Sequence, residues 1–293
     1  MKYACVAECE KQFPVNRICE VLEVSESGYY AWRNRPPSER KKANESLGQR
    51  IQAIWQQFRG IYGAPRIHAE LKDQGEAVGR NRVARMMQKL GLRGKGSHKR
   101  KPRTTQSNPS HRFEPNVLER NFDAPYPDAV WLTDITYIPT REGYLYVAGV
   151  LDLCTRQIVG LSMADHMRSE LTESALQMAL NQRQPTDPLI HHSDRGSQYT
   201  AEAYRNLLTT YPITVSMSRT GNCLDNAPME SFWATLKREC ADYVFHSRQQ
   251  ARTEIFGYIM GFYNRLRRHS ALGYLSPSHF HMQFKGQTCT LLN

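Results

Sequence analysis

"AVWLTDITYIPTREGYLYVAGVLDL", residues 129–153, decides the fold of the larger part of this chain. Two runs rich in β-branched and aromatic residues, 129–139 and 143–153, flank "TREG", which reads as a hairpin turn. Asp134 interrupts the first run between Leu132, Thr133, Ile135 and Thr136. A charge inside such a strand is expensive unless it reaches a sheet edge, a partner or a metal ion. The hairpin therefore carries a structural prediction and a chemical question together.

Outward from it, "RQIVGLSMA" (156–164) supplies a third strand, and residues 169–180 read as a helix with Leu171, Ala175 and Met178 on one side. "PLIHHSD" (188–194) is a short fourth strand, a helix follows from about Ala201, and "ITVSMS" (213–218) is a fifth strand. "NCLDNAPMESFWATLKRE" (222–239) runs from a loop into an amphipathic helix, with Asn222, Asp225, Asn226 and Pro228 at its start and Phe232, Trp233 and Leu236 supplying apolar mass. Three strands followed by alternating helix and strand predict an α/β domain on a mixed five-stranded sheet.

Three carboxylates stand where such a sheet concentrates chemistry. Asp134 lies in the first strand, and Asp194 directly follows the fourth, at the kind of strand end that carries active sites in α/β domains. Glu230 opens the last helix beside two aromatics; on that stretch alone it is equally a partner for the helix dipole. Converged at one place, the three would repel one another without a cation, and would suit one or two hard, oxygen-preferring Mg²⁺ ions. Asp152 in "VLDL" is a fourth candidate that can equally close a turn or brace the site.

The N-terminal part differs in kind. Residues 14–32 read as a short helix, a turn and a second short helix, with Ser25 as a cap. After the linker "RNRPPSERKK", Ile51, Ile54, Trp55 and Phe58 mark an amphipathic helix, and another covers residues 65–74. The helix predicted over 79–90 has Val83, Met86, Met87 and Leu90 as its core stripe, while Arg80, Arg82, Arg85 and Lys89 occupy other positions. That division suits the recognition helix of a helix-turn-helix; the alternative is an ordinary surface helix in a bundle. From residue 77 to 112 there are eleven Lys or Arg and no acid, including Lys99, Arg100 and Lys101 in a stretch without apolar period. Such a field attracts a polyanion, and the stretch reads as a basic linker that orders on a DNA backbone. The resulting division is a helical DNA-binding region (1–95), a basic linker (96–124), an α/β core (125–280) and a tail (281–293).

The formal charge of +11 points the same way. No stretch approaches the roughly 18 apolar residues of a membrane span, and Glu8 and Glu10 stand where a signal peptide needs an apolar run. The expected location is cytoplasmic, at the nucleoid. The seven scattered cysteines form no zinc-binding set.

At this point a resemblance is specific. "WLTDITYIP", "HHSDRGSQYT", "SRTGNCLDNAPMESFWATLKRE" and "YNRLRRHSALGYLSP", with "SESGYYAW" and "YGAPRIHAEL" before them, are similar in order and content to the second-reading-frame product of bacterial insertion-sequence transposases. The resemblance covers roughly residues 14–280. It implies a ribonuclease-H-like core, related to retroviral integrases, with an Asp, Asp, Glu triad; by motif these are Asp134, Asp194 and Glu230, with thirty-five residues between the last two. It also implies DNA contact by Lys237, seven positions after Glu230, and Arg238 adjoins it. Asn222 and Asn226 would shape the loop or touch DNA, and His192 would donate to a carboxylate or phosphate, or simply be structural. Arg265, Arg267 and Arg268 are further candidates for DNA contact, whereas Trp131 and Trp233 read as core residues.

The expected activity is metal-dependent strand cleavage at element ends followed by strand transfer, with Mg²⁺ (or Mn²⁺) bound by the triad and no covalent protein–DNA intermediate. Two alternatives stand beside it: an inactive or incomplete DNA-binding regulator of a fused transposase, and a plain metal-dependent nuclease. Expected partners are terminal inverted repeats and target DNA, a second copy of the chain, and an upstream-frame product or fusion, since no sustained heptad repeat is visible.

Overall fold

The computed structural model describes residues 1–96, 113–219 and 223–290. Lys99, Arg100, Lys101 and Asn222 lie outside the described residues, as does most of the basic linker.

The hairpin forms where its composition places it. Strand β1 (Val130–Thr140) pairs antiparallel with β2 (Gly143–Asp152), from Trp131 opposite Asp152 to Thr140 opposite Gly143. Gly143 closes the turn at φ +103°, a conformation that L side chains rarely adopt. Strand β3 (Ile158–Ala164) runs antiparallel to β2, while β4 (Leu189–Ser193) and β5 (Ile213–Met217) add in parallel beside β1. The order β3-β2-β1-β4-β5 is a ribonuclease-H-like mixed sheet, as the sequence predicts. Strand β4 pairs with β1 only over Val130–Leu132, so Asp134 stands where the two strands part.

Side-chain alternation along the strands sends alternate residues to opposite faces. One face packs Trp131, Ala148 and Val150 against Leu171, Leu176 and Leu180 of α7 (Ser169–Arg183) and Leu208 of α9 (Glu202–Thr209), with the short α8 (Ser197–Thr200) between. The other packs Leu132, Ile138 and Val147 against Met229, Trp233 and Leu236 of α10 (Ala227–Glu239) and Ile255 of α11 (Arg248–Phe256). Gly160 lets α7 close on the sheet, since a Cβ there would sit 2.2 Å from the Ala175 carbonyl oxygen.

The helical part has two clusters. Helices α1 (Lys2–Cys9), α2 (Val15–Val21) and α3 (Glu26–Arg33) surround Val6, Cys19 and Tyr29, with the Ser25 hydroxyl accepting from the Gly28 N–H. Helices α4 (Glu39–Gln57), α5 (Ala64–Asp73) and α6 (Arg80–Lys89) bury Leu47, Ile51, Ile67, Leu71 and Val83 in a core continuous with that of the sheet domain. Phe58 stacks on Tyr62, and the Tyr62 hydroxyl donates to the Leu266 carbonyl and accepts from the Arg268 N–H. Arg268 also donates to Glu70 and Asp73 of α5, both at 2.5 Å.

Helix α11 runs on into a π-helical turn, Gly257–Tyr263. One expectation needs correction. Arg267 and Arg268 are not placed for DNA. Arg267 is 3% exposed and its guanidinium makes two 2.6 Å hydrogen bonds to the Glu239 carboxylate, while Arg268 fastens α5 to the core. The last described helix is α12 (Pro277–Thr290). Among the described residues no helix is long and apolar enough to cross a membrane.

Candidate active site

Topology brings the first two carboxylates to neighbouring strand ends. Leu132 on β1 pairs with His192 on β4, so Asp134 and Asp194 each lie two residues beyond a paired position on parallel neighbours. Glu230 is in the first turn of α10, and two hydrogen bonds on either side of it tie that helix to β1. The Asn226 amide donates to the Thr133 carbonyl at 3.0 Å, and the Trp233 indole donates to Asp134 Oδ2 at 3.1 Å. Gly149, opposite Asp134 on β2, makes room: a Cβ there would meet Met229 at 2.8 Å and the Trp233 ring at 3.0 Å.

Electrostatics ties the three together. Burial, then the charge of Asp194, and more weakly that of Glu230, push Asp134 up to about 8, against hydrogen bonds from the Ile135 N–H and the Trp233 indole. Burial raises Asp194 despite the hydrogen bond that its Oδ1 accepts from the Gly196 N–H, and burial raises Glu230. Tyr199 presents a buried hydroxyl to the same cluster; burial and the charges of Asp194 and Asp134 hold it well above its ordinary range.

Three oxygen donors, each raised by burial and one of them also by the charges of the other two, suit a hard divalent cation, which would lower all three together. In the present rotamers, both Asp134 oxygens and Asp194 Oδ1 accept from protein N–H groups. Among the described residues no group of three or more His, Cys, Asp or Glu is gathered closely enough to hold a metal as the side chains stand. The donor set fits, and ligation needs side-chain rotation.

Comparison with known proteins gives the site its family. The chain is 47% identical over 269 residues to the insertion element IS600 31 kDa protein of Shigella sonnei, covering 91% of this chain and 98% of that one. It is 39% identical over 283 residues to the transposase InsF for insertion sequence IS3A of Escherichia coli K12, covering 96% and 98%. The chain belongs to the insertion-sequence transposase family. Within this transposase-family chain, integrase core domain models match residues 124–223 and 211–277, and a helix-turn-helix-like domain model matches residues 42–101. Among solved structures, the magnesium-bound catalytic core of HTLV-2 integrase is similar at 17% identity, covering 54% of this chain and 99% of that one, with a TM-score of 0.40.

The transposase-family chain scatters its other candidates. Asp152 is buried at the far end of β2, where it accepts from the N–H groups of Asp128, Cys154 and Thr155 and from the Thr155 hydroxyl, closing the turn into β3. His192 is buried between the hydroxyls of Ser216 and Ser218, at 2.9 and 3.0 Å, and burial lowers it to about 4. On α6, Arg80, Arg85 and Lys89 are exposed, and Arg82 donates to Asn44 of α4. The Lys237 ammonium sits 4.9 Å from the Tyr137 ring centroid, and Arg238 donates to the Thr235 hydroxyl.

Sequence reasoning missed two supports. Trp233, read as core, is also the donor that orients Asp134. Asp225 is fully buried before α10 and accepts from Asn116, Arg120 and Arg219. Burial pushes its carboxyl up, but these donors outweigh it and hold it well below the usual range. The clasp joins the segment entering the core to the loop that delivers Glu230. A buried acid in a run of turn formers was the available signal; its arginine partners were not visible in it.

Proposed function

We propose that this chain is a DNA transposase whose Asp134, Asp194 and Glu230 hold one or two Mg²⁺ ions, Mn²⁺ serving as a substitute. The observation that carries the reading is an Asp134 raised by burial and by the charges of Asp194 and Glu230 at the parting of β1 and β4, in a chain of the insertion-sequence transposase family. Bound there, divalent ions activate an attacking oxygen and stabilise a leaving oxygen in phosphodiester exchange. The chain's own part is positional. Trp233 fixes the Asp134 carboxylate, Gly196 N–H steadies Asp194, and α10 brings Glu230 and Lys237 to one side of a helix, two turns apart. Lys237 would hold a DNA phosphate beside the carboxylates, with Arg238, Asn222 and Asn226 supporting the loop and helix around it.

Residues 1–95 would recognise element ends, with Arg80, Arg82, Arg85 and Lys89 facing phosphates and base edges. The linker over 96–124 would follow the backbone through Lys99, Arg100 and Lys101, and residues 125–280 would carry out cleavage and joining at the nucleoid. Holding two ends calls for two copies of the chain, and an upstream-frame product or fusion would complete the assembly.

The test uses labelled duplexes carrying the element's terminal repeats, with Mg²⁺ or with chelator. The reading expects metal-dependent cleavage and end joining that Glu230→Gln abolishes. Cleavage without joining would make the chain a nuclease. Binding without any cleavage, in this chain and in its upstream fusion, would make it a regulator and sink the enzyme reading.

A further inference from the structure

Three tyrosines on the β1–β2 hairpin are used by nothing described so far. Tyr137 and Tyr144 are 51% and 52% exposed, their ring centroids are 5.1 Å apart at an interplanar angle of 65°, and Tyr146 extends the row at 6.4 Å from Tyr144. The register explains the cluster: Tyr137 lies opposite Tyr146 and Pro139 opposite Tyr144, so all three rings share one face. That face is covered by α7 at Ala148 and Val150, Tyr146 is half-buried at the margin of the same cluster, and Tyr137 and Tyr144 stay exposed beyond it. Strand β4 pairs with β1 only as far as Leu132, and among the described residues the β1 edge is next met by a single bridge from Phe245 to Thr140, past Tyr137.

The cluster adjoins the carboxylates. Tyr137 is three residues past Asp134, about 10 Å along the strand. Alternation puts the two side chains on opposite faces, and Lys237 spans the uncovered edge between them. It belongs to the Glu230 helix, and its ammonium rests 4.9 Å from the Tyr137 centroid. A cation for phosphate and a π-face for a base thus stand side by side at the rim. In a chain of formal charge +11 the ligand that matches both is a DNA strand.

We propose that Tyr137 and Tyr144 form a stacking platform for an unpaired nucleobase of the DNA strand that runs across the β1 edge. The base lies within about three nucleotides of the reacting phosphate, given a rise of about 3.4 Å per nucleotide along a strand. This proposal rests on the DNA-transposase reading and adds a distinct subsite to it. Stacking is indifferent to base identity, because every base has a π-face. The platform therefore selects for an unpaired strand end and does not read sequence.

The experiment uses the full chain and two versions of a terminal-repeat duplex, one blunt and one with an unpaired three-nucleotide overhang carrying 5-iodouracil. Affinities are measured in Ca²⁺, and long-wavelength irradiation followed by peptide mapping locates the cross-link. The expected result is an adduct at Tyr137 or Tyr144. Tyr137→Ala/Tyr144→Ala should lose on the order of tenfold in affinity for the overhang duplex, with blunt-duplex affinity unchanged; Tyr137→Phe/Tyr144→Phe should retain both. The unchanged blunt-duplex affinity shows that the alanine variant is folded. An adduct elsewhere, or equal overhang binding by wild type and the alanine variant, overturns the platform. Metal-dependent cleavage of the blunt duplex by wild type is read in parallel, so loss of the platform and loss of the transposase reading are told apart. Failure to bind either duplex overturns both.

Discussion

Two groups of carboxylates in this chain are buried in opposite ways. Glu239 and Asp225 are clasped by arginines: Arg267 makes a two-pronged pair with Glu239, and Arg219 and Arg120 enclose Asp225. Burial pushes both acids up, but their guanidinium partners prevail and hold them ionised. Asp134 has other acids as its strongest charged neighbours and is pushed up to about 8. The fold can supply cations to buried acids, and it does so at Glu239, two residues beyond Lys237, and again just before α10. At Asp134, Asp194 and Glu230 the proposed function assigns the charge balance to a bound divalent cation.

The clasped acids should show the largest effects. Glu239→Ala strands the Arg267 guanidinium, 3% exposed, without its partner, and should cost about 3–5 kcal/mol in denaturant unfolding. A cost below about 1 kcal/mol would mean that solvent reaches the pair. Asp225→Ala should cost less, about 1–2 kcal/mol, because Arg219 and Arg120 are 56% and 40% exposed and solvent screens them. Its effect on metal-dependent cleavage should be larger, on the order of tenfold to a hundredfold, since the clasp positions the loop that delivers Glu230. Equal small losses in stability and cleavage would reduce the clasp to a structural brace.

The unclasped side is sharpened by pH. Without metal, Asp134 keeps its proton in the folded chain up to about 8 but ionises near 3.8 when unfolded. The folded state therefore binds more protons between those values, and stability falls as pH rises through that window. Asp134→Asn should flatten the metal-free stability curve over this range, with a remaining slope from Asp152, Asp194 and Glu230, all raised by burial. For Glu239 the sign is opposite: its depressed carboxyl contributes stability that is lost as pH falls. The smallest effect belongs to Trp233→Phe, which removes one hydrogen bond from Asp134 and should cost about 1 kcal/mol. A melting curve checks it, and no change would mean that the indole only fills space.

The hairpin, the five strands and the positions of Asp134, Asp194 and Glu230 could be read from the sequence because each depends on a pattern within one segment. Period-two runs mark strands, and an acid inside such a run is conspicuous. What could not be read depends on partners far away in the chain. Arg268 looked like a DNA contact because "RLRRH" is locally basic, yet its acids Glu70 and Asp73 lie 198 and 195 residues away. Arg120 and Asp225 are 105 residues apart. Trp233 was read as core, and it is buried, but only the fold reveals that its indole points at Asp134. The π-helical turn after α11 was missed because one extra residue per turn leaves the apolar spacing of "IFGYIMGFY" nearly helical.

The central claim is that Asp134, Asp194 and Glu230 leave a charge deficit for a divalent cation. Calorimetric titration of the full chain with Mn²⁺, at pH 7 and without DNA, tests it most directly. The account predicts saturable binding with proton release, because Asp134 must give up the proton it holds below about 8. Binding should be lost in Asp134→Asn and weakened in Glu230→Gln, and retained in Glu239→Gln. Equal Mn²⁺ binding by wild type and Asp134→Asn, with no protons released, would contradict it.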